Sequence, residues 1–160
     1  MRYEHLVQIN DPLMPLLTPV TRRHLWGGLR LRAEEPTQFT PALDACRIDA
    51  RKPVDGREQL FRTLDFGSFV VSDRATLYTP DVLVIDTQTG PTWPASRLTI
   101  RIEEPEPDSL FLRFVYESEE AVDTELDAMA DALRRQAYEA ADLDMVVRIR
   151  QLVEDGTLVD

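Results

Sequence analysis

The sequence predicts an α+β domain in which a curved, seven-stranded antiparallel sheet packs against one long C-terminal helix. From Asp123 to Glu154 there is no Gly or Pro, and apolar residues recur every three or four positions. This spacing is typical of a single amphipathic helix, which would be about 45 Å long at about 1.5 Å per residue. Between about Cys46 and Glu117, short alternating segments separated by turns indicate strands. A length of 160 residues with 43% apolar content fits a single domain, 1–160, with a packed core.

The N-terminal part of the chain predicts one strand followed by two short helices. Tyr3–Ile9 alternates between two faces, as a strand does. A proline-rich loop follows, and Thr18 is suited to cap a helix with Pro19 at its first position. We expect this helix to reach about Glu34, and a second short helical turn to cover 37–43.

Six further strands are expected at 47–50, 58–64, 68–78, 82–87, 97–103 and 110–116. Turns rich in Gly, Pro and Asp join them, and tight turns connect antiparallel neighbours. The order of elements therefore predicts an antiparallel meander closed by the final helix. The apolar stripe of that helix must face the curved sheet, and a ligand could occupy the space between them.

Charge and composition exclude several classes of function. The chain has 18 Lys and Arg residues against 29 Asp and Glu residues, a net charge of −11. Such a surface repels nucleic-acid phosphates and anionic lipids, so we expect neither nucleic-acid binding nor membrane insertion. The only cysteine is Cys46, so no intrachain disulfide can form. No Cys/His cluster is present, and we expect no metal and no cofactor.

The cellular location is also an expectation from the sequence. The first residues, Met1–His5, lack the apolar core of a signal peptide. The longest apolar run in the middle of the chain, Val82–Ile85, is far too short to cross a bilayer. We therefore expect a cytoplasmic protein.

Three phrases of the sequence resemble the START-like (SRPBCC) superfamily, and within it the AtaL-like branch. They are Tyr3-Glu4-His5-Leu6-Val7-Gln8-Ile9-Asn10, Leu25-Trp26-Gly27-Gly28-Leu29 and Ile102-Glu103-Glu104-Pro105-Glu106-Pro107-Asp108-Ser109-Leu110-Phe111. The resemblance covers essentially the whole chain and implies the helix-grip fold of birch-pollen-type allergens and polyketide cyclases. It also implies a hydrophobic cavity between sheet and helix. Members mostly bind lipids, sterols or polyketides, and some catalyse cyclisation or hydrolysis. The phrases mark the branch and not a reaction, so no catalytic residue is carried over.

Two charged residues are expected on the inner face of the sheet. A tight turn at Asp65–Ser68 would place Leu64 opposite Phe69 and make Arg62 and Asp73 diagonal neighbours. Buried charges need partners, so the favoured interpretation is an ion pair that lines the cavity. The alternative is a polar anchor for a ligand oxygen. A register shift of one residue would instead place both side chains in water.

A histidine and a tyrosine are further candidates. His5 falls on the inner face of the first strand, and helix-grip topology places that strand beside the last one. Phe114 and Tyr116 share the inner face of the last strand. His5 and Tyr116 within reach of each other would suit a cyclase or hydrolase. The favoured interpretation is a core histidine, because no third group is identifiable to orient it.

The helices supply the remaining candidates. Met129, Leu133 and Ala137 lie on or beside the apolar stripe of the long helix, and Trp26 lies on the first helix. Small alanines on the stripe leave room for an apolar cavity, or else let the helix pack closely. We favour a core position for Trp26. With Leu133 in the cavity wall, Leu133→Trp should abolish the uptake of an apolar dye.

These observations favour binding of a small hydrophobic or aromatic molecule, of lipid or polyketide type, in the cavity. The cavity candidates are His5, Trp26, Arg62, Phe69, Asp73, Phe114, Tyr116, Met129, Leu133 and Ala137. One alternative is a cyclase- or aromatase-like enzyme that acts on a polyketide-like substrate in the same cavity. The other is a protein-interaction module. The sequence does not decide whether the chain forms a homodimer.

Overall fold

A curved antiparallel sheet and a long C-terminal helix form the domain in the computed structural model, which describes residues 1–160. The strands are β1 (Arg2–Gln8), β2 (Ala45–Val54), β3 (Arg57–Asp65), β4 (Val70–Tyr78), β5 (Val82–Thr87), β6 (Ser96–Glu106) and β7 (Ser109–Ser118). The helices are α1 (Arg22–Glu34), a 3-10 helix at Pro36–Gln38, and α2 (Glu125–Glu154). The predicted helix-grip architecture is therefore confirmed.

The sheet order is β1-β7-β6-β5-β4-β3-β2, and every neighbouring pair is antiparallel. β1 pairs with β7, as expected for the first and last strands. Register shifts interrupt the β2–β3 pair between Ile48 and Ala50 and the β6–β7 pair between Glu103 and Glu106. Such irregularities bend strands, so they help the sheet to curve around α2.

The alternation of side chains decides which face of the sheet is covered. On β7, Leu112, Phe114 and Tyr116 are buried on the inner face. On the outer face, Arg113 is half-buried and forms ion pairs with Glu103 and Glu4. The inner face thus supplies the apolar wall, and charged residues of the outer face neutralise one another.

One end of the domain, which we call the packed end, is a solid core between the sheet, α1 and the C-terminal part of α2. Its defining residues are Leu25, Leu29, Met145, Ile149 and Leu152, all of them buried. Gly28 allows the two helices to approach closely, because a Cβ atom there would lie 2.9 Å from two carbons of Ile149. Interiors of this density respond to the addition or removal of a single methyl group.

Helix α1 begins later than the sequence predicts. Its cap is Thr21, whose hydroxyl accepts a hydrogen bond from the His24 amide at 3.1 Å. The His24 ring in turn accepts one from the Thr21 amide at 3.0 Å. This reciprocal pair satisfies two backbone donors, so the predicted start at Pro19 is wrong. The second short helix covers only Pro36–Gln38 and not the expected 37–43.

Helix α2 turns a different face toward the sheet from the one that the sequence predicts. In its N-terminal part (residues 125–138), the predicted apolar stripe points to solvent, with Met129 65% and Leu133 66% exposed. Ala137 is exposed as well. The inward-facing residues are Asp131, Tyr138, Asp142, Met145, Ile149 and Leu152. The predicted stripe and the inward face coincide from Met145 onward. Before it, Ala137 and Ala141 each lie one residue before the inward-facing Tyr138 and Asp142, which is about 100° around the helix. The prediction that Met129, Leu133 and Ala137 face a cavity is therefore wrong.

No helix in the structure combines the length and the apolarity that crossing a membrane requires.

Candidate functional site

A cavity of about 380 Å³ lies against the inner face of the sheet and is closed by Arg32 of α1, Pro36 of the 3-10 helix and Tyr138 of α2. We call this region the cavity end of the domain. The apolar lining residues are Met1, Pro36, Leu64, Phe66, Ile85 and Leu98. The polar and aromatic lining residues are Arg32, Thr40, Arg62, Asp73, Thr87, Ser96, Arg97, Tyr116, Glu117 and Tyr138. The mixture of apolar walls and a few polar groups is typical of small-molecule sites.

A wider space of about 630 Å³ adjoins the cavity at the β3–β4 hairpin and forms its mouth. Four aromatic residues line this mouth, and three of them, Phe66, Phe69 and Trp93, form a cluster. Phe66 and Phe69 stack with their centroids 4.9 Å apart, and Phe69 lies 5.7 Å from Trp93. The indole nitrogen of Trp93 donates a hydrogen bond to the backbone oxygen of Gln88 at 3.1 Å, which fixes that ring. Phe69 is 46% exposed and therefore available to an entering molecule.

Arg62 and Asp73 form a buried ion pair in the cavity wall. Arg62 Nε lies 2.8 Å from Asp73 Oδ1, and Arg62 Nη2 lies 2.6 Å from Asp73 Oδ2. A further hydrogen bond joins Arg62 Nη1 to the backbone oxygen of Ala33 at 2.9 Å. Bidentate geometry with an extra acceptor is what a buried ion pair requires to offset its desolvation. The charge of Arg62 is therefore satisfied within the protein.

The pairing of these residues differs from the prediction in its register. Arg62 lies directly opposite Asp73, not diagonal to it, and Leu64 lies opposite Val71. Asp65 pairs with Val70, so the hairpin loop contains four residues. The Phe66 amide closes this loop by donating to the Phe69 carbonyl at 3.0 Å. The loop is two residues longer than the predicted tight turn. The same side chains therefore face inward, but each residue of β3 pairs with a residue two positions further along β4 than predicted.

A second polar cluster joins β1, β7 and α2 behind the cavity. The Asp142 carboxylate is buried, and its Oδ2 atom lies 3.1 Å from His5 Nδ1. The Tyr116 hydroxyl donates a hydrogen bond to Asp142 Oδ1. His5 keeps 20% of its side chain exposed, whereas Tyr116 lines the cavity. The three residues thus form a hydrogen-bonded chain from near the surface to the cavity wall.

Burial sets the protonation of this cluster. It raises the pKa of Asp142, against the opposing effects of hydrogen bonds from Tyr116 and His5. Burial and then the nearby Asp142 charge raise the pKa of Tyr116. The Tyr116 phenol therefore stays protonated at neutral pH and acts as a hydrogen-bond donor. The Tyr138 ring stacks on it with centroids 3.8 Å apart, which holds the phenol in place.

Arg32, in the last turn of α1, also lines the cavity. It is half-buried and forms no ion pair, and its single side-chain hydrogen bond joins Nη1 to the sulfur of Met145 at 3.1 Å. Burial lowers the pKa of this guanidinium, whereas Tyr116 and Asp142 act to raise it. Arg32 thus carries a charge without an ion-pair partner, whereas the charge of Arg62 is paired with Asp73.

The structure divides the ten sequence candidates into three groups. Arg62, Asp73 and Tyr116 line the cavity, and Phe69 lines its mouth. His5 contacts Asp142 at the back of the wall. The remaining candidates lie elsewhere: Phe114 is fully buried in the core, Trp26 packs against the core, and Met129, Leu133 and Ala137 face solvent. Contact with a ligand stays a prediction for the residues that line the cavity.

Sequence reasoning missed Asp142 and Arg32. An acidic residue within a helix and a basic residue near a helix end both usually face water. The available signal was the spacing of Asp142, four residues after Tyr138 and three before Met145, on the face that turns inward. No group of three or more His, Cys, Asp or Glu side chains comes together as metal ligands would.

The model of the family described as AtaL, acetylaranotin biosynthesis cluster protein L, matches residues 7–156. No curated protein matches the sequence significantly.

Solved structures with the same fold are distant in sequence. The Zhui aromatase/cyclase from Streptomyces sp. R1128 has 11% identity and a TM-score of 0.60, with 96% of this chain and 93% of that chain covered. A START superfamily protein from Mycobacterium smegmatis has 18% identity and a TM-score of 0.59, with 94% and 98% covered. The di-domain ARO/CYC StfQ from the steffimycin biosynthetic pathway has 9% identity and a TM-score of 0.67. The chain covers 52% of StfQ, about half its length, and StfQ covers 98% of this chain. These likenesses show the fold.

Proposed function

This chain belongs to the AtaL family, and on that premise we propose that it binds a small hydrophobic or aromatic molecule between the sheet and α2. The observation that carries the proposal is the cavity of about 380 Å³ between the inner face of the sheet and the helices, which Tyr138 of α2 helps to close. Its walls combine aliphatic and aromatic side chains with a few oriented polar groups. Pockets of this size and lining hold drug-sized ligands.

The distant structural neighbours support this proposal through their fold. Their names include a START superfamily protein, an aromatase/cyclase and a di-domain ARO/CYC from the steffimycin biosynthetic pathway. A lipid- or polyketide-like molecule is therefore the class of ligand that we expect. The aromatic border of the mouth, Phe66, Phe69 and Trp93, suits entry of a flat apolar molecule.

Native mass spectrometry of the purified protein is the first test. We expect a fraction of the protein to carry a small molecule, released on denaturation, whose mass identifies its class. Delipidated protein that fails to take up any apolar compound in a screen would count against the proposal.

A cavity-filling substitution tests where the ligand sits. Leu98 lines the cavity from β6, so Leu98→Trp should reduce the affinity for the neutral dye Nile red by about tenfold or more. Leu133→Trp is the matched control, because it introduces the same side chain on the solvent face of α2. We expect Leu133→Trp to bind the dye normally, contrary to the prediction made from the sequence. Equal loss in both variants, or in neither, would place the dye outside the cavity.

The second candidate function is a cyclase- or aromatase-like enzyme, which the His5–Asp142–Tyr116 chain favours. In such a reaction the attacking carbon loses its proton to water and bonds to a carbonyl carbon, and the carbonyl oxygen takes the phenolic proton of Tyr116 after that proton turns away from Asp142. A proton from solvent would then pass through His5 and Asp142 to restore the phenol. A protonated phenol beside a cavity is suited to that donation.

Turnover of a polyketide-like poly-β-ketone substrate separates the enzyme from the binding protein. For an enzyme, Tyr116→Phe should lower turnover by about a hundredfold or more, while substrate affinity changes little. His5→Gln should produce a smaller loss. No turnover by the unmodified protein across such substrates would leave binding as the function.

The cytoplasmic location expected from the sequence stays a prediction, and homodimerisation stays the open question that the sequence leaves. Size-exclusion chromatography with light scattering tests homodimerisation directly.

A further inference from the structure

Arg32 differs from the other arginines that line the cavity and its mouth, because its donors lack oxygen acceptors. A guanidinium carries five N–H donors. Those of Arg62 meet the Asp73 carboxylate and the Ala33 carbonyl. Arg32 has only the Met145 sulfur, which is a weak acceptor.

The neighbouring carboxylates are already engaged. Both oxygens of Asp73 accept from Arg62. One oxygen of Asp142 accepts from Tyr116, and the other lies at hydrogen-bond distance from His5. Neither acid forms an ion pair with Arg32, although Asp142 and Tyr116 are close enough to influence its pKa. Arg32 lines the cavity and none of its nitrogens is buried without a partner, so its unused donors stay accessible to a ligand there.

Arg32 is half-buried and carries a charge with no oxygen partner, so an anionic ligand in the cavity would supply the acceptors that its donors lack. The planar fork of a guanidinium matches a carboxylate in two parallel hydrogen bonds. The protonated hydroxyl of Tyr116 lines the same cavity and is fixed by its bond to Asp142. The wall near Met145 is thus polar and cationic, whereas the mouth is aromatic.

We propose that Arg32 is the anion anchor of this cavity and that its ligand is an apolar molecule carrying a carboxylate at the end nearest Met145. This inference rests on the proposed binding function and names the class of ligand. The apolar body of the ligand would lie against Leu64, Ile85 and Leu98 and extend toward Phe66 and Phe69.

A pair of matched probes tests the anchor: naphthalene carboxylate and the corresponding neutral naphthalene carboxamide. Titration calorimetry should show that the unmodified protein binds the carboxylate about tenfold more tightly, or better, which is the effect of a charge-assisted hydrogen bond. Arg32→Gln should remove this preference and leave carboxamide binding unchanged. Arg32→Lys should retain part of it, because the charge stays but the fork is lost.

Arg30→Gln is the control variant, since Arg30 lies on the same helix and pairs with Glu58 outside the cavity. It should keep the full preference for the carboxylate. Equal affinities for the two probes in the unmodified protein, or a preference that survives in Arg32→Gln, would overturn the anchor. Failure of both probes to bind at all would instead overturn the proposed function. The comparison of probes in the unmodified protein holds even if Arg32→Gln does not fold.

Discussion

At the packed end of the domain α2 presses Met145, Ile149 and Leu152 into the core, whereas at the cavity end the same helix lies over an open space. The inward face near the cavity consists of Asp131, Tyr138 and Asp142, and the larger apolar side chains there point outward. A single helix thus serves as a core element along one part and as a polar wall along the other. The comparison teaches that the cavity exists because the helix presents few apolar side chains to fill it.

Removing an apolar side chain from the packed end should have the largest effect on stability. Ile149 is fully buried and contacts α1, so Ile149→Ala should lower the free energy of unfolding by about 2–5 kcal/mol. Urea denaturation followed by circular dichroism measures this change. A loss below about 1 kcal/mol would show that the packed end is less dense than described.

Two adjacent glycines of α1 give a sharper contrast at the same end. A Cβ atom at Gly28 would lie 2.9 Å from two atoms of Ile149, so Gly28→Ala should cost about 1–3 kcal/mol. At Gly27 the nearest atom is the flexible end of Leu158 at 3.2 Å. Gly27→Ala should therefore gain up to about 1 kcal/mol from helix propensity. Thermal denaturation of both variants checks the opposite signs, and equal shifts would contradict the close helix contact.

At the cavity end, stability should depend on pH through Asp142. Burial raises the pKa of Asp142 above its ordinary value of 3.8, so the folded state holds a proton that the unfolded state has lost. The free energy of unfolding therefore falls as pH rises from about 4 through the folded-state pKa. Asp142→Asn retains the hydrogen-bonding shape without the charge and should lose this slope.

Urea denaturation of both proteins at several pH values between about pH 4 and pH 8 gives the free energy of unfolding at each pH, and hence its slope. We expect the stability of Asp142→Asn relative to the unmodified protein to increase toward neutral pH. Parallel curves would mean that Asp142 is ionised in both states, with no cost of burial.

The smallest effect belongs to the outer face of α2. Leu133 is exposed, so Leu133→Ala should change the free energy of unfolding by less than about 0.5 kcal/mol. The same urea measurement applies. A loss as large as that of Ile149→Ala would show that this face is covered.

The strand pattern was predictable because alternation depends on local burial. The pairing of β1 with β7 followed from the implied topology, and the inner-face positions of Arg62 and Asp73 followed from the period of two. The register between them was not predictable, because Asp65-Phe66-Gly67 suggests a tight turn whereas the loop runs from Phe66 to Phe69. Loop length depends on packing at the mouth, which no local pattern records.

The orientation of α2 was hidden for a different reason. Two series of residues with helical spacing lead to Met145. One contains Leu133, Ala137 and Ala141, and the other contains Tyr138 and Asp142. Hydrophobicity favours the first series. The second is buried because Asp142 finds partners in His5 and Tyr116, which belong to strands more than 20 residues away in sequence. Such long-range compensation cannot be derived from the helix alone.

An NMR titration of backbone amides with the neutral naphthalene carboxamide tests most directly whether a ligand-accessible cavity lies under α2. Saturable shifts should concentrate at Arg32, Leu64, Thr87, Leu98 and Tyr138, with Leu126, Leu133 and Ile149 little changed. Shifts confined to the outer face of α2, or none in a folded sample at saturating probe, would contradict the account.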